Sequence, residues 1–455
     1  MIMRSVLSGS RVTFSNRIAQ AAVIAATTCM VLLVQASTVS AAAMPWRYSS
    51  FIAGTDQSAN VANETTRLTA VGCSPTGEEC IAAGNLLSRS DKLLLALWNG
   101  SHWVQLATPE VKNPVLISGA SCPNVATCMI VGQQFIGNTS IEPFIDTLSV
   151  ATKHWSIPAL PTVNSNRSVL TSISCASPVS CFAVGNWVDS TAVVHPLVLR
   201  FTGAEWILDG SALQANIGMN ASLLSVSCAV HECIATGIST TAPSKVLAVR
   251  LEGNGGSRII WNEAIQSVRD ESVSCNDKQC LIVVTFSGQS GLNVEGTRLY
   301  QVSGDSVHQL VNLPQEFARN DFRTVYCSME SPVCIVGGGV SVTSIGLSYT
   351  RPALMEISGS HMTALDVPNA FPNTSGTFAS LGGTVNGAYF AVGSVSPIGR
   401  PQDQIAVLAE HTVHPQGMDW AILAAAGIAV LILAGVGVFL LLRKGNRVHH
   451  DPAKS

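Results

Sequence analysis

The chain has 455 residues, of which 47% are hydrophobic and only 12% are charged, and its formal net charge is −3. Soluble domains usually carry about 25% charged residues. The composition therefore argues against a disordered chain, a nucleic-acid-binding protein and an ordinary cytosolic enzyme. The 13 cysteines are an odd number, which would leave one cysteine without a partner if the others pair.

The first 43 residues have the organisation of a secretory signal. Arg4, Arg11 and Arg17 precede a mostly apolar run at 18–34, which small residues ending in Ala41-Ala42-Ala43 follow. A basic region, an apolar core and an A-x-A cleavage site are typical of signal peptides. We predict that residues 1–43 are a signal peptide, and Cys29 would be removed with it.

One motif recurs along the next 370 residues or so. It is legible as LTAVGCSPTGEECIAAG, LISGASCPNVATCMIVG, LTSISCASPVSCFAVG, LLSVSCAVHECIATG, ESVSCNDKQCLIVV and FRTVYCSMESPVCIVGG. The first cysteines of these six copies lie 47 to 53 residues apart. A seventh copy, FASLGGTVNGAYFAVG, has Gly383 and Tyr389 at the two cysteine positions. A fixed period of this length is typical of repeat architectures.

Each copy is predicted to form four short antiparallel strands. In the first copy the strands fall at 68–72, 81–84, 93–97 and 103–107, with Asn99-Gly100-Ser101 as a hairpin turn. Seven such units predict an all-β, seven-bladed β-propeller over residues 44–413. The last copy has room for three strands only, and Trp46 resembles the tryptophans that begin other fourth strands. We therefore expect the N-terminal strand to close the last blade.

The two cysteines within each copy are predicted to form a disulfide. The pairs are Cys73 with Cys80, Cys122 with Cys128, Cys175 with Cys181, Cys228 with Cys233, Cys275 with Cys280, and Cys327 with Cys334. The seventh copy lacks both cysteines together, as expected when a lone survivor would be a reactive thiol. Metal binding and catalytic dithiol chemistry are the alternatives. Isolated pairs without matching histidines do not suit tetrahedral zinc, and six equivalent copies indicate architecture.

A glycine recurs four residues after the second cysteine position. It is present in six copies, at Gly84, Gly132, Gly185, Gly237, Gly338 and Gly393. Only the fifth copy departs, with Val284. A residue without Cβ permits a bend or a close backbone approach in a strand, so we predict a structural role.

A second apolar segment lies near the C-terminus. Residues 420–442 contain no charged residue, and about 20 apolar residues are enough to cross a bilayer as a helix. Arg443, Lys444 and Arg447 follow at once, which favours a cytoplasmic tail. We predict a juxtamembrane linker at 414–419, a transmembrane helix at 420–442 and a cytoplasmic tail at 443–455. The protein would then be a single-pass type I protein of the cell membrane, with the propeller outside.

The recurring pattern also resembles a known kind of repeat. The pattern L-T-x-V-S-C…C-x-A-V-G…W-N-G-x-x-W, legible from Leu68 to Trp103 and again from Leu170 to Trp206, resembles the Cys-paired propeller repeats of secreted actinobacterial proteins. The resemblance covers the repeat region. It implies a propeller at the cell surface and no established chemistry.

The connections that join strands two and three, and successive blades, are predicted to be long loops on one face of the propeller. Variable loops on a rigid frame are common recognition sites. Glu142, Asp189, His195 and Arg400 are the candidate ligand-binding residues on this face. No sequence motif assigns a catalytic residue, a cofactor or a metal ligand.

These features predict a binding or scaffold module for a cell-envelope glycan or another surface protein. The alternative is a hydrolase or lyase that acts on extracellular glycans with residues from the loops. Residues 44–419 contain 18 basic and 27 acidic residues, a net charge of −9, so nucleic acid is not an expected partner. The sequence does not indicate an oligomeric state.

Overall fold

A computed structural model describes residues 46–50 and 65–412, with gaps at 76–77, 87–88, 138, 210–219, 231, 240–243, 254–255, 266, 288–294, 311–313, 315–319, 330, 345–346, 360, 366–372 and 401–402. These residues belong to one compact unit, Pro45–Val413. The predicted signal peptide, linker, transmembrane helix and tail lie outside the described residues. Among the described residues, no helix is both long and apolar enough to span a membrane.

All the regular secondary structure in the described part of the chain consists of β-strands, so the fold is all-β as predicted. The strands of the first three copies are β2 (Thr66–Cys73), β3 (Glu79–Leu86), β4 (Arg89–Asn99), β5 (Trp103–Gln105), β6 (Val115–Asn124), β7 (Thr127–Ile136), β8 (Ser140–Ser149), β9 (His154–Ser156), β10 (Arg167–Ser177), β11 (Ser180–Val188), β12 (Val194–Phe201) and β13 (Trp206–Leu208). Those of the next three are β14 (Ala221–Cys228), β15 (Cys233–Ser239), β16 (Lys245–Leu251), β17 (Ser257–Ala264), β18 (Val268–Cys275), β19 (Cys280–Ser287), β20 (Glu295–Ser303), β21 (Ser306–Gln309), β22 (Asp321–Cys327), β23 (Val333–Ser344), β24 (Leu347–Ser358) and β25 (His361–Leu365). The last copy comprises β26 (Thr374–Gly383), β27 (Ala388–Pro397) and β28 (Ile405–Thr412), and β1 (Arg47–Ser50) precedes the first.

Within each copy, consecutive strands pair antiparallel, and the copies form a propeller-like series of four-stranded units. Copies two and three share one eight-stranded sheet, because Arg167 on β10 pairs in parallel with Ile141 on β8. The N-terminal strand β1 pairs antiparallel with β28, from Arg47 opposite Glu410 to Ser50 opposite Val407. The first strand therefore completes the sheet of the last copy, as the sequence predicted.

The core lies between neighbouring sheets. Ile81 on β3 and Ile130 on β7, both fully buried, belong to one cluster between copies one and two. Successive residues of a strand point to opposite faces, so each sheet contributes apolar side chains to the clusters on both of its sides. Trp46 and Trp206 are buried in such clusters and pack between neighbouring sheets.

All six predicted disulfides are present. Each one bridges the first two strands of its copy, and in five copies the two cysteines are direct cross-strand neighbours, as Cys73 is with Cys80. The bridges close the turns between these strands and do not connect one sheet to another.

The recurring glycine stands opposite a β-bulge in the first strand of its copy. In the third copy, Gly185 pairs with Leu170, and the register shifts between Leu170 and Ser172. The bulge turns the Val169 carbonyl oxygen toward Gly185, where a Cβ would lie well inside van der Waals contact. The same close approach occurs at the other five glycines, Gly84, Gly132, Gly237, Gly338 and Gly393. The predicted structural role is confirmed.

Gly185→Ala is expected to lower the free energy of unfolding by about 2 kcal/mol, because the new methyl group overpacks the bulge. Gly253→Ala is the matched control, since a Cβ there meets nothing within 4 Å. Chemical denaturation of the two variants measures the difference. Equal stability of both variants would show that the bulge relaxes freely.

Hydroxyl groups connect the first strands of successive copies. Ser272 and Ser274 on β18 accept hydrogen bonds from the backbone N–H groups of Val325 (3.4 Å) and Cys327 (2.8 Å) on β22. The same arrangement joins Cys175 to Ser121, Val226 to Ser172, Cys228 to Ser174, Val273 to Ser225, Cys275 to Ser227 and, between the last copy and the first, Val71 to Ser380. These contacts explain why serine recurs one and three positions before the first cysteine.

Ser274→Ala is expected to lower the free energy of unfolding by about 2 kcal/mol, because it leaves the buried Cys327 N–H without an acceptor. Ser306→Ala, at an exposed position on β21, should change the stability by less than about 0.5 kcal/mol. Urea denaturation compares the two variants. A Ser274→Ala variant as stable as the control would mean that water replaces the serine hydroxyl.

Candidate functional site

A central cavity of about 300 Å³ is lined by the first strands of all seven copies. The lining is largely backbone together with the serine and threonine hydroxyls that join these strands. The cavity brings residues from every copy close together. Lining residues that recur in every copy are explained by their structural role. Lining residues that differ from those of the other copies are therefore the candidates for ligand binding.

The first strands begin at one end of the cavity with residues that occupy equivalent register positions. Each lies opposite the residue that follows the recurring glycine position: Arg67, Leu116, Val169, Ser222, Asp270, Asp321 and Thr377. We call this ring, with the bulge residues Leu224 and Arg323, the mouth. It lies at the end where the predicted long loops connect the strands.

Charged residues enter the mouth from copies one, five and six only. Arg323 donates a hydrogen bond to the carboxylate of Asp321, two residues earlier on β22. The side chain of Asp321 is 8% exposed. The Arg323 Nε atom is buried and has no hydrogen-bond partner among the described residues. One donor of the Arg323 guanidinium is therefore left without an acceptor in the described part of the chain.

The charged groups of the mouth affect one another's pKa values. Partial desolvation and the like charge of Arg323 lower the pKa of Arg67, while Asp270 opposes the change. Burial raises the pKa of Asp270 to about 6, and Arg323 opposes the rise. Arg67 is exposed, and no hydrogen bond or ion pair to its guanidinium is found in the described part of the chain.

The fifth copy departs from the other six in its register. Its bulge lies at Arg269, between Val268 and Asp270, and Glu271 pairs directly with Val284. Glu271 therefore occupies the position that buried aliphatic or aromatic residues take elsewhere, namely Leu68, Ile117, Leu170, Leu223, Phe322 and Phe378. Val284, at the glycine position, therefore has no bulge next to its partner on the first strand.

Glu271 is 3% exposed, and neither carboxyl oxygen has a hydrogen-bond partner among the described residues. Burial, and to a lesser degree the nearby Asp270 carboxyl, raise the pKa of Glu271 well above its usual range. Its surroundings therefore favour the protonated form of Glu271. The residue contributes a buried acid beside the mouth.

The other side of the mouth is apolar. Leu116, Val169 and the bulge residue Leu224 are half-buried there, in copies two, three and four. A site of this kind combines an apolar wall with a few polar groups, as small-molecule sites usually do.

Toward the opposite end, the cavity is lined by Tyr326, which replaces the recurring serine in copy six. The Tyr326 hydroxyl donates a hydrogen bond to the Gly383 carbonyl oxygen at 2.9 Å. Burial raises the pKa of this hydroxyl. A side chain larger than hydrogen at Gly383 would meet the Tyr326 ring.

Two of the four predicted site residues lie together. Asp189 Oδ2 and His195 Nε2 are 2.9 Å apart, and the Trp187 ring stacks on the His195 ring with centroids 4.3 Å apart. Asp189 also accepts hydrogen bonds from Thr191 and from the Val193 N–H. The hydrogen bonds from His195 and then Thr191 lower the pKa of Asp189. Both carboxylate oxygens of Asp189 therefore already accept hydrogen bonds from residues of the same loop and of β12.

The other two predicted residues lie elsewhere. Glu142, on β8, lines a second cavity of about 340 Å³ beside the Pro158 and Pro161 segment. Arg400 is in the exposed turn before β28. None of the four predicted residues lines the central cavity.

The mouth residues Arg67, Asp270, Asp321 and Arg323 were not predicted. An alignment of the seven copies would have indicated them, because copies one, five and six have charged residues at positions where other copies have leucine, valine, serine or threonine. The structure was needed to bring residues from three separate copies to one place. In the described part of the chain, no group of three or more His, Cys, Asp or Glu residues is arranged to hold a metal ion.

Comparison with known proteins gives fold-level neighbours only. No protein-family model and no curated protein sequence matches the chain. A puromycin hydrolase is 10% identical, with 74% of this chain covering 51% of that chain at a TM-score of 0.47. An ancestral GH74 enzyme is 12% identical, with 79% of this chain covering 49% of that chain at a TM-score of 0.47. A structure from a study of two prolyl endopeptidases is 8% identical, with coverages of 77% and 50% and a TM-score of 0.44.

This chain thus spans about half the length of those proteins. The predicted resemblance to secreted actinobacterial repeat proteins has no support from a family match and stays a prediction.

Proposed function

We propose that the chain is a seven-bladed β-propeller displayed outside the cell on a single C-terminal membrane span. The four-stranded units, the closure of β1 on β28 and the six disulfides support an extracytoplasmic propeller, because disulfides persist in oxidising compartments. The uncharged segment 420–442 and the basic residues after it support the span and a cytoplasmic tail. The likeness to secreted actinobacterial repeat proteins accords with this location.

We propose that the propeller is a binding or scaffold module for a cell-envelope glycan or another surface protein, and that the mouth is its binding site. One observation carries the proposal: the mouth combines the charged residues Arg67, Asp270 and Arg323 from three different copies with half-buried apolar residues from copies two, three and four. A purely structural ring would repeat the hydrophobic and hydroxyl residues of the other copies.

The test is a sedimentation assay with the full-length protein in lipid nanodiscs and the insoluble cell-envelope fraction of the native host. The wild-type protein should sediment with the envelope, and Arg67→Gln/Asp270→Asn should lose most of the binding. Arg47→Gln/Asp277→Asn is the matched control, because it removes the same two charges at exposed positions on the outer strand β1 and in a cysteine turn. Equal binding by all three proteins would refute the assignment to the mouth.

A further inference from the structure

We infer that the mouth recognises a terminal carboxylate that carries an apolar neighbour, as at the C-terminal end of a peptide. The inference rests on the proposed binding function and adds the chemical class of the ligand. Its basis is the division of the mouth into a side with two arginines and an apolar side.

The arginine side offers donors that the protein does not use. The Arg67 guanidinium has no bonded acid in the described part of the chain, and the buried Nε atom of Arg323 has no acceptor. Guanidinium groups bind carboxylates through paired, charge-assisted hydrogen bonds. An anion bound by both arginines offsets the repulsion between their like charges.

The arrangement disfavours a cation as the ligand. Asp321 is already bonded to Arg323 and is nearly buried, so it has little capacity for a second partner. Glu271 is 3% exposed and occupies a core position on its strand, so its carboxyl group is not available to a ligand. Asp270 is then the one acid of the mouth that remains to receive a cation, and both arginines oppose that cation.

Size and overall charge restrict the anion further. The cavity of about 300 Å³, which Leu224, Asp270 and Arg323 of the mouth line, is at the lower end of the range for small-molecule sites, so the part of a ligand that enters it is one compact group. The net charge of −9 on residues 44–419 repels a polyanionic chain along the surface. A single carboxylate at the end of a molecule avoids that repulsion.

The apolar side of the mouth determines which kind of group next to the carboxylate the ligand can carry. When a carboxylate lies between Arg67 and Arg323, the half-buried side chains of Leu116, Val169 and Leu224 face the rest of the ligand from copies two, three and four. An aliphatic side chain gains free energy by contact with these residues, whereas a sugar ring exposes hydroxyls to them. A peptide end with an aliphatic residue fits both sides.

The inference is tested by ligand-observed NMR titration of the full-length protein in nanodiscs with N-acetyl-leucine, N-acetyl-leucinamide and glucuronate. N-acetyl-leucine should bind at least about tenfold more tightly than its amide and than glucuronate, since a hydrogen bond to a charged group corresponds to about ten- to a hundredfold in affinity. Arg67→Gln should weaken N-acetyl-leucine binding by the same factor, while Arg47→Gln should leave it unchanged.

Three results would overturn the inference: equal binding of the acid and the amide, equal or tighter binding of glucuronate, or binding that Arg67→Gln does not alter. The proposed function has a separate readout. If the envelope assay still depends on Arg67 and Asp270 while the acid and the amide bind equally, the ligand class is wrong and the binding function stands. If the Arg67→Gln/Asp270→Asn variant binds the envelope normally, the assignment of the binding site to the mouth is wrong.

Discussion

Reduction of the six disulfides is expected to unfold the repeat region under conditions in which the oxidised protein is stable. Each bridge closes a loop of five to seven residues. Closing such a loop stabilises the folded state by about 2 kcal/mol in the chain-entropy model, so six bridges contribute on the order of 10 kcal/mol. That sum is comparable to the whole free energy of unfolding of a typical domain.

Circular dichroism and urea denaturation, with and without a thiol reductant, measure the effect. Removal of a single bridge by Cys228→Ser/Cys233→Ser should lower the free energy of unfolding by about 2 kcal/mol and leave the protein folded. This double variant, kept oxidised so that its other five bridges remain, is the control that distinguishes the loss of one bridge from the loss of all six. A fully reduced protein with unchanged spectra and unchanged urea midpoint would contradict the expectation and show that the sheets suffice without the bridges.

Glu271→Leu is expected to raise the free energy of unfolding by about 3 kcal/mol at pH 8. The substitution removes a buried carboxyl group that has no hydrogen-bond partner among the described residues, and such groups are costly to bury. Leucine already occupies the equivalent position in three other copies, at Leu68, Leu170 and Leu223, so the side chain should pack without strain.

The gain should depend on pH in a defined direction. The pKa of Glu271 is raised in the folded state, so the folded state holds its proton more tightly than the unfolded state does. The contribution of Glu271 to stability is therefore fully present below the unfolded pKa of about 4.3 and declines as the pH rises toward the folded pKa. Glu271→Leu should stabilise the protein more at pH 8 than at pH 5.

Urea denaturation at pH 5 and pH 8 measures both the gain and its slope. Glu271→Gln is the matched control, because it keeps the polar group but abolishes its titration. It should flatten the pH dependence without the full gain in stability. A destabilised Glu271→Leu variant would mean that the carboxyl group has a bound partner in solution, such as an ordered water, that stabilises it.

The features that recur in each copy could be predicted from the sequence, because each of them depends on residues that lie close together along the chain. The cysteine spacing predicted each bridge, since the two residues lie across a short turn, and the recurring glycine predicted a close backbone approach that the bulge explains. The closure of β1 on β28 was predictable from the missing fourth strand of the last copy.

The mouth could not be predicted from a single copy, because its charged residues come from copies one, five and six. The shifted bulge of the fifth copy was also missed, although Val284 in place of glycine marked it. Strand register depends on cross-strand pairing, and a bulge moved by two residues turns Glu271 into the core. Asp189 and His195 were predicted as ligand-binding residues from their loop position. In the structure the two side chains are hydrogen-bonded to each other, and their role in ligand binding stays a prediction.

The central claim is that the ligand binds at the mouth, and photocrosslinking on living cells tests it most directly. A photoreactive amino acid would replace Thr377, which lies in the mouth ring, or Asp277, which is exposed in a cysteine turn. We expect envelope adducts from position 377, and these adducts should disappear when Arg67→Gln is added. Adducts from position 277 and none from position 377 would contradict the account.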